Sequence, residues 1–122
     1  MREMQVKTQS GVTKIYIGED AIQTRLPVLV EGQKNFVVTD STVYALYADF
    51  FKEYFSSAEI YILNAGEENK NFQSLYAILE KMTGAGIYRT SKLFAVGGGV
   101  VGDIAGLAAA LYMRGIPCVQ GF

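Results

Sequence analysis

Residues 93–113 contain a single charged side chain, Asp103, and a run of closely spaced glycines that few folds can accommodate. The glycines, at 97–99 and 102, follow a short apolar run of β-type and precede an alanine-rich stretch. A membrane-spanning helix would have similar apolar content, but three consecutive glycines and a central carboxylate argue against it. We predict instead a buried strand over Lys92–Val96, a tight turn over Gly97–Gly102 and a helix over Asp103–Met113.

The same strand-then-helix order recurs along the rest of the chain. Alternating stretches at Met4–Thr8 and Val12–Ile17 flank turn residues and predict an N-terminal β-hairpin. Hydrophobic periodicity then predicts strands over 35–39, 59–63 and 116–120, and helices over 21–26, 43–54 and 72–82. Strands that alternate with helices through short connections are typical of a parallel sheet covered on both faces. The predicted fold is therefore α/β, a Rossmann-like parallel sheet with helices on both faces, preceded by the hairpin.

Composition excludes several classes of site. The chain has no histidine and one cysteine, Cys118, so a disulfide framework, a zinc finger and a Ser-His-Asp triad are excluded within it. We predict no catalytic residue and no metal ligand in this chain, and we expect Cys118 to be a small buried apolar residue. A net charge of −1 with mixed signs argues against a nucleic-acid partner. A lone thiol and the absence of a signal-like segment in Met1–Ser10 predict a cytoplasmic protein without a membrane partner.

The glycine run satisfies the pattern G-x-G-x-x-G, with glycines at 97, 99 and 102 between a predicted strand and a predicted helix. Such glycines let the backbone approach a pyrophosphate at the helix N-terminus. The pattern by itself is weak, because glycines also let a helix pack closely on a sheet. Residues 81–122 carry four basic and one acidic residue, which suits an anionic ligand.

Two further polar loops follow predicted strands, so their side chains should meet the glycine turn at one sheet edge. They are Asp40-Ser41-Thr42 and Gly66-Glu67-Glu68-Asn69-Lys70. Each has an ordinary alternative, since Asp40 could be a helix N-cap and the charged residues of the second loop could be solvated surface. Their convergence favours a nucleotide site.

The run Gly97-Gly98-Gly99-Val100-Val101-Gly102-Asp103, followed by Tyr112-Met113-Arg114-Gly115, resembles the 3-dehydroquinate synthases of the shikimate pathway. Gly66–Lys70 is similar to that family's G-E-x-x-K loop at the expected distance upstream. The resemblance covers essentially all 122 residues and corresponds to the family's N-terminal domain only. Residues 1–122 are thus expected to form a single NAD-binding α/β domain, the N-terminal part of a longer enzyme.

The resemblance implies an NAD site built from three loops and, separately, one residue that binds the substrate. The cofactor residues would be Asp40, Ser41, Thr42, Gly66, Glu67, Glu68, Asn69, Lys70, Gly97, Gly98, Gly99, Val100, Val101, Gly102 and Asp103. Arg114 matches the arginine that helps to hold the substrate's phosphate. The implied enzyme is a phosphorus-oxygen lyase that converts 3-deoxy-D-arabino-heptulosonate 7-phosphate to 3-dehydroquinate in chorismate and aromatic amino acid biosynthesis.

The resemblance also implies what this chain would lack. The family's zinc or other divalent metal is bound by a later helical domain, so this chain alone is expected to be inactive. The full-length enzyme is expected to be a homodimer acting on a sugar phosphate. The alternatives are a related sugar-phosphate cyclase, a polyol dehydrogenase, or a non-catalytic nucleotide-binding module. The end of the chain two residues after its last predicted strand favours a fragment.

Overall fold

A computed structural model describes residues 2–8, 11–17, 34–64, 72–88 and 90–120. Its first two strands, β1 (Arg2–Thr8) and β2 (Gly11–Ile17), pair antiparallel with Thr8 opposite Gly11. The turn between them, the helix predicted over 21–26 and the loop Gly66–Lys70 lie outside the described residues.

The remaining strands and helices alternate, as predicted. The strands are β3 (Phe36–Asp40), β4 (Glu59–Leu63), β5 (Leu93–Val96) and β6 (Cys118–Gln120). The helices are α1 (Ser41–Leu46), α2 (Ala48–Tyr54), α3 (Phe72–Gly84) and α4 (Gly99–Leu111), the last continued by a 3₁₀ turn at Tyr112–Arg114. The described strands form one sheet in the order β1-β2-β6-β5-β3-β4, parallel at every neighbouring pair from β2 to β4.

Successive side chains of a strand point to opposite faces of the sheet. Each central strand is buried on both faces, because helices cover both. Phe36, Val38, Leu93 and Ala95 pack with α3 and α4, and the residues between them, Val37, Phe94 and Val96, pack with α2. The second layer is aromatic: the rings of Phe55 and Phe94 meet edge to face with centroids 5.1 Å apart. The predicted parallel sheet with helices on both faces is confirmed.

Two of the predicted helices differ from expectation. The segment predicted as one helix over 43–54 breaks at Tyr47 (φ −123°, ψ 36°), so Leu46 and Tyr47 are 70% and 57% exposed although they continue the apolar spacing. In α3 the buried stripe is Leu75, Ile78 and Met82. Phe72 and Tyr76 share the apolar spacing of that stripe, which predicts them on the same face, but they are 87% and 64% exposed. Phe72 is the first residue of the helix and Tyr76 points away from the sheet, so the apolar period alone misplaced the stripe.

The prediction for the glycine segment was also wrong in its boundaries. Helix α4 begins at Gly99, four residues before the expected Asp103, and only Gly97 and Gly98 form the turn. Gly102 N–H already donates to Gly98 O at 3.0 Å, which closes the first helical turn. The glycines at 99 and 102 are therefore helical residues. A glycine-rich sequence lowers helix propensity but does not prevent a helix whose apolar face packs on a sheet.

The end of α4 contains a tight turn that the sequence does not announce. Met113 (φ 45°, ψ 41°) and Arg114 (φ 69°) both have left-handed backbones, and Gly115 N–H donates to Tyr112 O at 2.7 Å. This is the geometry of a type I′ turn, whose central positions favour asparagine and glycine. The turn is anchored by Tyr112, whose buried hydroxyl donates to Ile87 O at 2.6 Å.

Candidate functional site

The order of the strands in the sheet creates a crevice at the carboxyl ends of the parallel strands. From β3 the chain passes through α1 and α2 to β4 on one side, and from β4 it returns through α3 to β5 on the other side of β3. Strands β3 and β5 are therefore neighbours whose following helices lie on opposite faces of the sheet. In open α/β sheets, ligands bind beyond the carboxyl ends of the strands at this kind of switch point.

The segments 40–42 and 97–103, predicted from the sequence as loops, both begin at this crevice. Thr39 pairs with Val96, so Asp40 and Gly97 leave adjacent strands, which lie about 4.8 Å apart, from the same level. Leu63 pairs with Asp40, and the loop that contains Gly66–Lys70 follows it along the chain. The structure thus brings the first and third predicted loops together. The residues of the second loop lie outside the part it describes.

Asp40 is the N-cap of α1, which is the structural alternative that the sequence left open for it. Its Oδ1 accepts a hydrogen bond from Val43 N–H at 2.7 Å and caps α1, whose first two residues are the exposed Ser41 and Thr42. A carboxylate has lone pairs for several donors, and the cap uses only one of its two oxygens in this bond. Capping and contact with a ligand hydroxyl are therefore compatible.

The glycine turn presents the N-terminus of α4 to the crevice. The N-cap is Gly98, which makes no side-chain cap, so the N–H groups of the first turn point outward without a capping side chain. The macrodipole of a 13-residue helix adds partial positive charge at this end. Both features attract a negatively charged group.

The glycines of this segment fall into two groups according to what a side chain would meet. Among the residues that the structure describes, a Cβ built on Gly98 or Gly99 has no atom within 4 Å, so the described part of the chain leaves the space in front of the turn open. A Cβ on Gly102 or Gly106 would lie 3.0 Å or 3.1 Å from the side chain of Gln120. The open space that ligand approach would need and the close packing of the helix on the sheet therefore occur at different glycines.

Two polar residues at this edge were missed by sequence reasoning. Thr39 is fully buried one residue before Asp40, and its hydroxyl has no hydrogen-bond partner within the described residues. Gln120 ends β6 and packs against α4. The only sequence signal for Gln120 was a polar residue at the end of an apolar strand.

Cys118 is 1% exposed, which confirms the prediction of a buried apolar role. Burial raises the pKa of its thiol to about 11, against a smaller lowering by the hydrogen bond from Gln120. A thiol with this pKa is protonated near neutral pH and is a poor nucleophile. Among the described residues, no cluster of three histidine, cysteine or acidic side chains could hold a metal ion. In those residues too, every helix is too short or too polar to cross a bilayer.

Arg114 does not share the crevice. Helix α4 starts at the carboxyl end of β5 and ends before the amino end of the parallel β6, so it runs back along the sheet. Its 13 residues span about 20 Å at 1.5 Å per residue. Arg114 is therefore an exposed side chain near the amino ends of the parallel strands, opposite the end where the glycine turn lies.

Comparison with known proteins finds relatives over most of this chain. The family described as "3-dehydroquinate synthase N-terminal" matches residues 60–121. The chain is 40% identical to 3-dehydroquinate synthase of Lysinibacillus sphaericus (strain C3-41), over 94% of this chain and 33% of that protein. It is 38% identical to the 3-dehydroquinate synthase of Geobacillus kaustophilus (strain HTA426), over 98% of this chain and 35% of that protein. The chain thus spans about a third of the length of the curated relatives it matches.

Solved structures with a similar fold include a crystal structure of 2-deoxy-scyllo-inosose synthase, with a TM-score of 0.77 and 25% identity. That match covers 98% of this chain and 35% of the other. A second structure of a 2-deoxy-scyllo-inosose synthase, complexed with carbaglucose-6-phosphate, NAD+ and Co2+, matches with a TM-score of 0.73 at the same identity. It covers 98% of this chain and 34% of the other.

Proposed function

Since the chain belongs to the 3-dehydroquinate synthase family, matching its N-terminal domain, we propose that it is the NAD-binding portion of an enzyme that converts 3-deoxy-D-arabino-heptulosonate 7-phosphate to 3-dehydroquinate and phosphate. The observation that carries this proposal is the crevice between β3 and β5, where Asp40 and the uncapped N-terminus of α4 leave adjacent strands. The open space before Gly98 and Gly99 fits a pyrophosphate that must approach the backbone closely.

In this proposal the chain's own residues bind and orient the cofactor. The N–H groups at the start of α4 hold the pyrophosphate, Asp40 accepts hydrogen bonds from ribose hydroxyls, and Ser41 and Thr42 flank that contact. Gly66–Lys70 supplies a second cofactor loop, as the family resemblance implies. When bound, NAD would supply a hydride acceptor for a substrate alcohol, and holding it at a fixed edge orients that chemistry.

The divalent metal does not fit this part of the enzyme. The chain has no histidine, and its described residues hold no cluster of ligands. We therefore assign zinc, or another divalent metal, to the remainder of a full-length enzyme, together with the catalytic residues. We also propose that the full-length enzyme is a homodimer and is located in the cytoplasm.

A sugar-phosphate cyclase of the inosose type is the second candidate. It is supported by the similarity to 2-deoxy-scyllo-inosose synthase, whose structure was determined with NAD+ and a sugar-phosphate analogue. The same crevice would serve either enzyme. Phosphate release by a full-length enzyme carrying this segment, assayed with the heptulosonate phosphate and with glucose 6-phosphate, decides between them.

The proposed role of Asp40 can be tested separately from its capping role. Asparagine also caps helices well, so Asp40→Asn should preserve α1 while removing the charge that ribose hydroxyls would contact. Loss of a hydrogen bond to a charged acceptor is worth about 1.5–3 kcal/mol, so the Kd for NAD should rise by about tenfold or more. Calorimetric titration measures the Kd, and thermal unfolding measures stability.

The matched control is Asp49→Asn, the same change at an exposed acid in the first turn of α2. It should leave the Kd for NAD unchanged. Equal affinity of Asp40→Asn and the wild type would remove Asp40 from the site.

Arg114 is proposed to hold the phosphate of the substrate. Lysine keeps the charge but loses the planar fork that binds phosphate through two hydrogen bonds. In a full-length enzyme, Arg114→Lys should raise the KM for substrate by about tenfold, equivalent to about 1.4 kcal/mol. NAD affinity should stay unchanged because the residue lies about 20 Å from the glycine turn. A change in NAD affinity alone, or loss of folding with normal kinetics in the remaining protein, would contradict this role.

The separation also limits how Arg114 could act. The crevice of this chain lies at the other end of α4. A substrate phosphate bound at Arg114 would therefore be far from NAD bound to the same chain. One substrate molecule can therefore contact NAD and an arginine at position 114 only if a surface from outside this chain's crevice comes close to one of these two positions.

A further inference from the structure

Gln120 occupies a notch in α4 made by two glycines one turn apart. It is the last residue of β6, two positions after Cys118, so both side chains point to the α4 face of the sheet. Its Nε2 donates to Gly102 O at 3.2 Å and to Cys118 Sγ at 3.6 Å. A Cβ at Gly102 or Gly106 would come within 3.0–3.1 Å of its amide, so the two glycines create the room in which that amide lies.

The hydrogen bond reaches the turn that forms the candidate pyrophosphate site. Gly102 closes the first turn of α4 through its N–H, which donates to Gly98 O at 3.0 Å. The same residue is attached to β6 through its carbonyl oxygen. The N–H groups of Gly99, Val100 and Val101 project from within this turn, so a shift of the turn relative to the sheet would shift all three.

We propose that Gln120 is a positioning residue for NAD, which fixes the first turn of α4 on β6 and thereby aims its N–H groups at the pyrophosphate. This rests on the proposed function, because it presumes NAD at the glycine turn. Gln120 itself need not touch the cofactor. Its effect comes through Gly102, and preorganised donors bind an anion more tightly than donors that must first be ordered.

The first test replaces Gln120 by methionine, which has a similar length but no amide donor. The Kd of the chain for NAD, measured by calorimetric titration, should rise by about fivefold, which is the effect of one net hydrogen bond. Gln120→Ala should give a similar rise. Gly99→Val reports on the proposed function itself, because it places a side chain in the open space before the turn.

Gly106→Ala provides a readout that a purely structural role would not give. Alanine favours a helix over glycine, so this variant should be as stable as the wild type or more stable. Its Cβ would lie 3.1 Å from Gln120 Nε2, so the amide must shift by a few tenths of an ångström and its hydrogen bond to Gly102 O should weaken. Its Kd for NAD should therefore rise, by less than in Gln120→Met. In the Gln120→Ala background the same substitution should have no further effect, since no amide remains to be displaced. If Gln120→Ala does not fold, Gly106→Ala still carries the test, because it retains Gln120.

The outcomes separate the two proposals. Gln120→Met within twofold of the wild type, with binding lost in Gly99→Val, overturns the role of Gln120 and keeps the NAD site. If the fold-changes in the Kd for NAD caused by Gln120→Ala and Gly106→Ala multiply in the double variant, the role of Gln120 is also overturned. A wild-type chain that does not bind NAD, or a Gly99→Val variant that binds normally, overturns the site and the positioning role together.

Discussion

Replacing Gly99 by valine should raise the Kd for NAD by at least about a hundredfold, or about 2.7 kcal/mol, with little change in folding. The reason is the environment of the glycine. A Cβ built there meets no atom of the described residues within 4 Å beyond its own helix turn, and it projects into the space in front of the α4 N-terminus. Valine would therefore keep the pyrophosphate away from the backbone N–H groups, at least two of which would lose charge-assisted hydrogen bonds of about 1.5–3 kcal/mol each.

Gly84→Val is the matched control for this experiment. Gly84 ends α3, and a Cβ built on it also meets nothing within 4 Å in the described part of the chain, so the same change is made in a helix at another open position. Both variants should unfold within about 1 kcal/mol of the wild type, because neither creates a clash. Calorimetric titration with NAD should distinguish them. Similar affinities for the two variants would show that the glycine turn does not bind the cofactor.

Gly97→Ala should lower the free energy of unfolding by about 3 kcal/mol, the largest stability loss expected at the turn. Gly97 has φ +153°, which L-residues rarely adopt, and its Cβ would lie 2.9 Å from Val101 Cγ2. Val101 is buried, and a β-branched side chain in a helix has essentially one rotamer, so it cannot move aside. Backbone strain and a steric clash therefore act together.

The adjacent Gly98→Ala serves as the control for this loss. Gly98 has a negative φ of −81°, and a Cβ on it meets no atom within 4 Å. Its cost should stay below about 1 kcal/mol, the order of a weakened N-cap. Urea denaturation of the three proteins measures the difference. If the two alanine variants are equally stable, the contact with Val101 does not determine the need for glycine at position 97.

The sheet could be predicted because each strand is short, apolar and followed by a polar or glycine-rich turn. Alternation of strand and helix implies parallel pairing, which predicts Asp40 and Gly97 at the same end of the sheet. The start of α4 could not be predicted in the same way. Glycines at 99 and 102 have poor helix propensity, and the helix forms because Val101, Ile104 and Ala105 bury a continuous face against the sheet.

Arg114 shows a different limit of sequence reasoning. Arg114 follows Asp103 by eleven residues, and the sequence alone does not show how far apart the two lie. The intervening residues form a helix, and a helix converts this short distance in sequence into about 20 Å in space. The type I′ turn at Met113 and Arg114 was also unpredictable, because neither residue is typical of a left-handed backbone. Strained positions of this kind are characteristic of functional segments.

The buried thiol beneath Gln120 makes the interface between α4 and β6 accessible to kinetic measurement. Cys118 is the chain's single cysteine, and its pKa of about 11 keeps it protonated in the closed structure. A thiol-specific reagent can therefore modify the folded chain only after a local opening that exposes the sulfur to water. Under conditions where closing is faster than modification, the labelling rate reports the free energy of that opening. The chain thus carries a natural probe of how firmly its glycine turn is held to the sheet.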